Sequence, residues 1–131
     1  MPANTLPIVP NVPTAECAAS VANVTARTQI SGTGTTTSLT AATTNGKRVD
    51  QIVVQCIATS AAAIVFIWIY DGTNQNLFDE IVIPAVTVSN TVAGARIEKN
   101  YSNLVLPAAH RLFASTTINQ ATDVFALGGN Y

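Results

Sequence analysis

Ala61-Ala-Ala-Ile-Val-Phe-Ile-Trp-Ile-Tyr70, closed by Asp71-Gly72-Thr73-Asn74, is the stretch whose reading decides the fold. It carries no charge and no amide and is rich in β-branched and aromatic residues. A run of that length, ended by Asp-Gly, reads as a buried strand rather than a helix. Side chains alternate across a strand. Ala63, Val65, Ile67 and Ile69 therefore share one face, and Ile64, Phe66, Trp68 and Tyr70 share the other. Both faces are apolar, whereas a strand in a simple two-layer sandwich keeps one face wet. The second face needs a cover: either a loop or arm of the same chain, or another subunit.

The flanks continue the β pattern. Before the central run, Asn45-Gly46 is a tight-turn pair, and Lys47–Thr59 alternates, with Ile52, Val54, Cys56 and Ala58 looking one way and Gln51, Val53, Gln55 and Ile57 the other. After it, Leu77–Ile83 runs to Pro84, with Leu77, Ile81 and Ile83 on one face and Phe78, Glu80 and Val82 opposite. Val86–Val92 reads as strand or loop. Ala95–Tyr101, Asn103–Pro107, Leu112–Ile118 and Asp123–Leu127 read as short strands. Val24–Ile30 and Thr35–Thr43, split by Gly32-Thr-Gly34, are weaker and Thr-rich. Thr14–Val24 reads either as a short helix capped by Thr14 or as an irregular crossing. Short strands at regular spacing with scarcely any helical periodicity predict an all-β fold. The expectation is a jelly-roll-like antiparallel β-sandwich of about eight strands over residues 27–131, preceded by an extended arm over residues 1–26.

That arm holds Pro2, Pro7, Pro10 and Pro13, and proline confines itself and its predecessor to extended conformations. Leu6, Pro7, Ile8, Val9, Pro10 and Val12 form an apolar set suited to clamping a neighbouring surface. A disordered leader is the other reading.

A chain of 131 residues makes one domain with a real core. Its formal charge is −1 and 10% of its residues are charged, against roughly a quarter in typical domains. Such a surface suits a molecule shielded inside an assembly. It does not suit nucleic acid as a partner, which requires a basic stripe. Cys17 and Cys56 are too few for a disulfide framework and lack metal-ligand spacing; Cys56 shares an inward face with Ile52 and Val54 and reads as a small core residue. No apolar run is long enough to cross a bilayer, and the N-terminus lacks the charge and apolar core of a signal peptide. The expectation is a soluble protein made in the cytosol, with no membrane partner.

The residues for chemistry are sparse. His110 stands alone in a turn, Asp79 and Glu80 point to opposite faces of a strand, and Asp71 sits where its side chain bonds the local backbone. No serine lies in a nucleophile-elbow pattern. The chain therefore reads as no enzyme, with no cofactor and no metal. Trp68, Phe66 and Tyr70 leave one rival open, a stacking platform for glycans, against core or subunit-interface packing of the same rings.

With the strands placed, the chain from about Arg27 onward resembles a group of tailed-phage virion proteins. The likeness lies in an ordered succession: Gly32-Thr-Gly34-Thr, Asn45-Gly46-Lys-Arg-Val-Asp-Gln-Ile, Ile69-Tyr-Asp-Gly72, Leu104-Val-Leu-Pro107, Leu112-Phe-Ala-Ser-Thr116 and Ala126-Leu-Gly-Gly-Asn-Tyr131. Where the family pattern favours Pro-Ala-Gly, this chain has Pro107-Ala-Ala109. Some virion components of this kind are capsid decoration, or cement, proteins with jelly-roll domains, commonly trimeric, and they bring no catalytic residues. The resemblance implies a cement protein on the capsid surface, a homotrimer bound to the major capsid protein. Ile64, Phe66, Trp68 and Tyr70 would form the subunit interface and the arm the capsid contact. A neck or tail component (fibre head or adaptor) and a glycan-binding module are the alternatives.

Overall fold

The computed structural model describes residues 12–19, 21–32 and 34–131. The expected capsid-binding residues Leu6, Pro7, Ile8, Val9 and Pro10 lie outside the described residues; Val12 is the first within them. Nine strands follow in order: β1 (Val12–Ala18), β2 (Ile30–Ser31), β3 (Thr37–Ser38), β4 (Lys47–Cys56), β5 (Ala63–Tyr70), β6 (Asn74–Ile83), β7 (Arg96–Leu106), β8 (Arg111–Thr116) and β9 (Thr122–Asn130). They form two antiparallel sheets, β1-β9-β4-β7 and β2-β6-β5-β8-β3. With the two-residue β2 set aside, the first sheet holds the first, eighth, third and sixth strands of the chain, and the second holds the fifth, fourth, seventh and second. That order is a jelly roll, the expected β-sandwich.

The central core lies between the sheets. The first face of β5 (Ala63, Val65 and Ile67, with Ile69 partly buried) packs there on Val49, Ile52, Val54, Leu106, Leu112 and Val124. Two bulges decide which side chains reach it. In β4, Val49 pairs with Gly128 and Gln51 with Leu127, leaving Asp50 unmatched. One extra residue reverses the alternation. Lys47 and Val49 therefore point inward before the bulge, and Ile52, Val54 and Cys56 after it. Gly128 is needed at this point, because a Cβ there would stand 1.9 Å from the carbonyl oxygen of Arg48.

In β6, Asp79 pairs with Ile67 and Leu77 with Trp68, leaving Phe78 unmatched. This corrects the expected face of Leu77. It joins Trp68 on the outer side, while Ile81 and Ile83 enter the central core.

Two further expectations fail near the N-terminus. Thr14–Ala18 is neither helix nor irregular crossing but part of β1, which pairs with β9 at all seven of its positions. The boundary at residue 26 also dissolves, since β1 completes the first sheet, Val21 enters the central core, and Val24 and Ile30 pack on the second sheet. Pairing with a neighbouring strand outweighs the weak helical preference of Ala-Glu-Cys-Ala-Ala.

Candidate functional site

The second face of β5, which holds the expected interface residues, is covered by another segment of the same chain. Residues 22–32 and 34–38, on the way from β1 into β3, act as a strap across the outer side of the five-stranded sheet. At one edge, Val24 N donates to Thr116 O at 2.8 Å and Thr116 N to Ala22 O at 2.9 Å. The strap then crosses to the opposite edge, where Ile30 and Ser31 pair with Gln75 and Asn74, and returns to pair as β3 with β8. Beneath it lies a second core of Val24, Phe66, Trp68 and Phe113, flanked by Ile30, Ile64, Tyr70 and Leu77.

The rings of this second core are held specifically. Phe66 and Trp68 meet edge to face at 5.9 Å, a favoured aromatic arrangement. The Trp68 indole Nε1 donates to Ser115 Oγ at 2.9 Å. The Arg27 guanidinium lies 5.3 Å from the Phe66 ring centre and pairs with Glu80 at 2.6 Å. Arg111 lies against both Tyr70 and Phe113, at 5.3 and 4.9 Å. Gln75, buried under the strap, donates to Gly32 O at 2.7 Å and accepts from the Thr36 hydroxyl.

Of the four expected interface residues, Phe66 and Trp68 are 0% exposed. Ile64 and Tyr70 are half-buried. The cover is thus a segment of the same chain, and this corrects the assignment of Phe66 and Trp68 to a subunit interface. The same burial removes them as a stacking platform for glycans.

The outer face of the four-stranded sheet has no strap among the described residues. Val53, Phe125 and Leu127, with Arg96, line a shallow cleft there. Cys17 and Ala15 of β1 stand beside Phe125 and Leu127 in the ladder. The Cys17 thiol is pushed up by burial and by the Asp123 charge. Cys17 is exposed and Cys56 buried, both as free thiols.

Two charged clusters tie the sandwich together, and neither was legible in the sequence. Lys47 is 1% exposed and its ammonium pairs with Glu16 of β1, whose carboxylate also accepts from Ala41 N. At the β6–β7 seam, Asp79 accepts from Lys99 Nζ at 2.6 Å and from Tyr101 Oη at 2.6 Å. Burial raises the Asp79 carboxyl, but the bonds from Lys99, Tyr101 and Glu80 N outweigh it and hold the group below its ordinary value. Burial and the Asp79 charge push the Tyr101 phenol up.

The remaining candidates carry no convergent chemistry. Asp71 accepts from Thr73 N and Asn74 N at 2.9 and 2.8 Å, closing the β5–β6 turn as expected, and these bonds lower its pKa. His110 Nδ1 lies 3.3 Å from Ala108 O in its own turn. Among the described residues, no group of three His, Cys, Asp or Glu could hold a metal, and no helix is long and apolar enough to cross a membrane. Comparison with family models, with curated proteins and with solved structures gave no match.

Proposed function

We propose that the protein is a tailed-phage capsid decoration, or cement, protein. In this reading it is a jelly-roll subunit of a homotrimer, seated on the capsid surface between major capsid proteins. The observation that carries the reading is how the chain handles charge. Only 10% of residues are charged, and five of the six Lys and Arg pair with an acid of the same chain. Desolvating an unpaired charge at an interface costs several kcal/mol. A surface with its charges already paired, built mostly of Thr, Ser, Asn and Ala, can be enclosed by neighbours at little cost.

The family resemblance over roughly the last hundred residues supports the virion setting. Mechanically, each subunit adds contacts between capsomers, and the summed association energy opposes the outward pressure of packaged DNA. Leu6, Pro7, Ile8, Val9 and Pro10 would reach the shell from the start of β1.

The test is addition of the purified protein to shells lacking it. The expected result is saturable binding at a copy number comparable to that of the major capsid protein, with greater resistance of the filled particle to heat. Removing residues 2–11 should abolish this binding and leave the fold unchanged. No binding at saturating protein would overturn the reading, and a few copies per virion would move the protein to the neck or tail.

A further inference from the structure

One end of the four-stranded sheet carries a polar group on its inner face. There Lys47 of β4 stands in register opposite Asn130 of β9. Directly opposed residues project to the same side of a sheet, and that side is the interior, since Lys47 is 1% exposed. The Lys47 ammonium reaches past β9 to Glu16 of β1. The inward positions of β9 along that path are Gly128 and Ala126, and their small size leaves room for the long side chain.

The ion pair accounts for Lys47 and Glu16 but not for Asn130. The Asn130 Oδ1 is buried and accepts no hydrogen bond among the described residues. An ammonium carries three donors, and Lys47 directs one of them to Glu16. A buried acceptor left unmet beside a buried donor calls for a reason. The reason offered by the chemistry is that amine and carboxamide are set to react rather than to hydrogen-bond.

We propose that Lys47 and Asn130 are the two ends of an intramolecular isopeptide bond, formed after folding with Glu16 as proton carrier. Such a bond needs an amine, an amide carbon and a base beside the amine, away from water. Lys47, Asn130 and Glu16 supply these from three adjacent strands. Opposed antiparallel residues have Cα atoms about 4.5–5.5 Å apart. A lysine side chain is longer than that, so Nζ can swing from Glu16 back to Asn130 Cγ. The Glu16 carboxylate takes one proton from the ammonium and frees the lone pair of Nζ. The Nζ–Cγ bond then forms and the Cγ–Nδ2 bond breaks. The amide nitrogen leaves as ammonia with the proton that Glu16 held, and a second proton from Nζ converts it to ammonium ion. In sum, a lysine ammonium and a carboxamide give a secondary amide and an ammonium ion. No other reactant enters, and Glu16 ends as the carboxylate it began as. The product ties β9 to β4 and closes residues 47–130 into a covalent ring.

The test is mass spectrometry of the full chain purified without denaturant. The expected mass is lower than that of the sequence by one ammonia. Digestion should yield a branched peptide joining Lys47 to Asn130, with no tryptic cut after Lys47. Lys47→Met and Asn130→Ala should each abolish the ammonia loss. Glu16→Gln keeps an acceptor beside Nζ but carries no proton, and it should slow bond formation about a hundredfold. An unsubstituted chain of full mass overturns the proposal. So does an ammonia loss confined to a linear peptide, the result expected of a cyclic imide at Asn45-Gly46. Bond formation in Glu16→Gln at the unsubstituted rate overturns the role given to Glu16. The decisive measurement uses the unsubstituted chain, so it does not depend on any variant folding. No shell is present in it, and its outcome is separate from that of the capsid-binding test.

Discussion

The two sheets of the sandwich place apolar residues on both sides of a central strand, yet they treat their outer faces differently. On the five-stranded sheet, Phe66 and Trp68 are sealed beneath the strap of residues 22–32 and 34–38. On the four-stranded sheet, Phe125 and Leu127 remain half-exposed beside Val53, with no segment over them among the described residues. A strand apolar on both faces demands a cover, but it does not specify whose. Here the long connection from β1 to β3 supplies it. Apolar residues on both sides of a strand are therefore weak evidence for a subunit interface.

This contrast can be broken most directly with paired truncations. Trp68→Ala should cost about 3–5 kcal/mol in urea unfolding, through a cavity that the anchored strap cannot fill. Phe125→Ala, on the open face, should cost about 1 kcal/mol, because its ring is only partly removed from water. Equal losses would mean that the two faces are equally buried in solution.

Next in size is the tether that holds the open-faced sheet together. Glu16→Ala should cost about 3 kcal/mol by stranding the buried Lys47 ammonium and should speed amide exchange in β1 and β9. Lys47→Met on top of it should recover part of that loss, since the uncompensated charge is gone.

The seam between the sheets should titrate. The Asp79 carboxyl is held below its unfolded value, so its contribution is fully present above the unfolded carboxylate pKa of about 3.9 and is lost as pH falls through the lower folded value. Asp79→Asn should therefore flatten the acid limb of the stability curve, and an unchanged limb would remove Asp79 from that role.

The smallest expected effects involve the turn before β8 and the strap's surface ion pair. Ala109 adopts φ of +65°, a left-handed conformation that strains a Cβ-bearing residue. Ala109→Gly should stabilise the protein by about 1 kcal/mol, seen as a higher urea midpoint. Arg27→Ala should cost no more than about 0.5 kcal/mol, because the pair with Glu80 is solvent-exposed and the strap is held by what lies beneath it. A large loss there would shift the anchoring of the strap from burial to charge.

The fold was legible because its signals are local. Asp71-Gly72, Asn45-Gly46 and the alternation in Lys47–Cys56 and Ala63–Tyr70 each act within a few residues. The failures came from long-range pairing. Nothing near Thr14–Ala18 indicates that β9, more than a hundred residues on, will take it as a strand. The bulges at Asp50 and Phe78 have no sequence signature, so simple alternation puts Leu77 on the wrong face. The expected interface failed for the same reason, since period-two patterning reports that a face is apolar and not which segment covers it. Pro107-Ala-Ala109 shows the opposite case. The glycine expected there marks the one non-glycine residue with positive φ among those described.

The position of β9 has a consequence for how the molecule is made. It lies between β1 and β4 in its sheet, yet it follows every other strand in the chain. During synthesis β1 emerges first and waits without its partner while the opposing sheet, whose strands all precede β9, can already assemble. Sheet completion is then a late, non-local closure of the kind that folds slowly. Until it happens, the nascent chain carries two unzipped strands, and at that stage it is most exposed to mispairing with its neighbours.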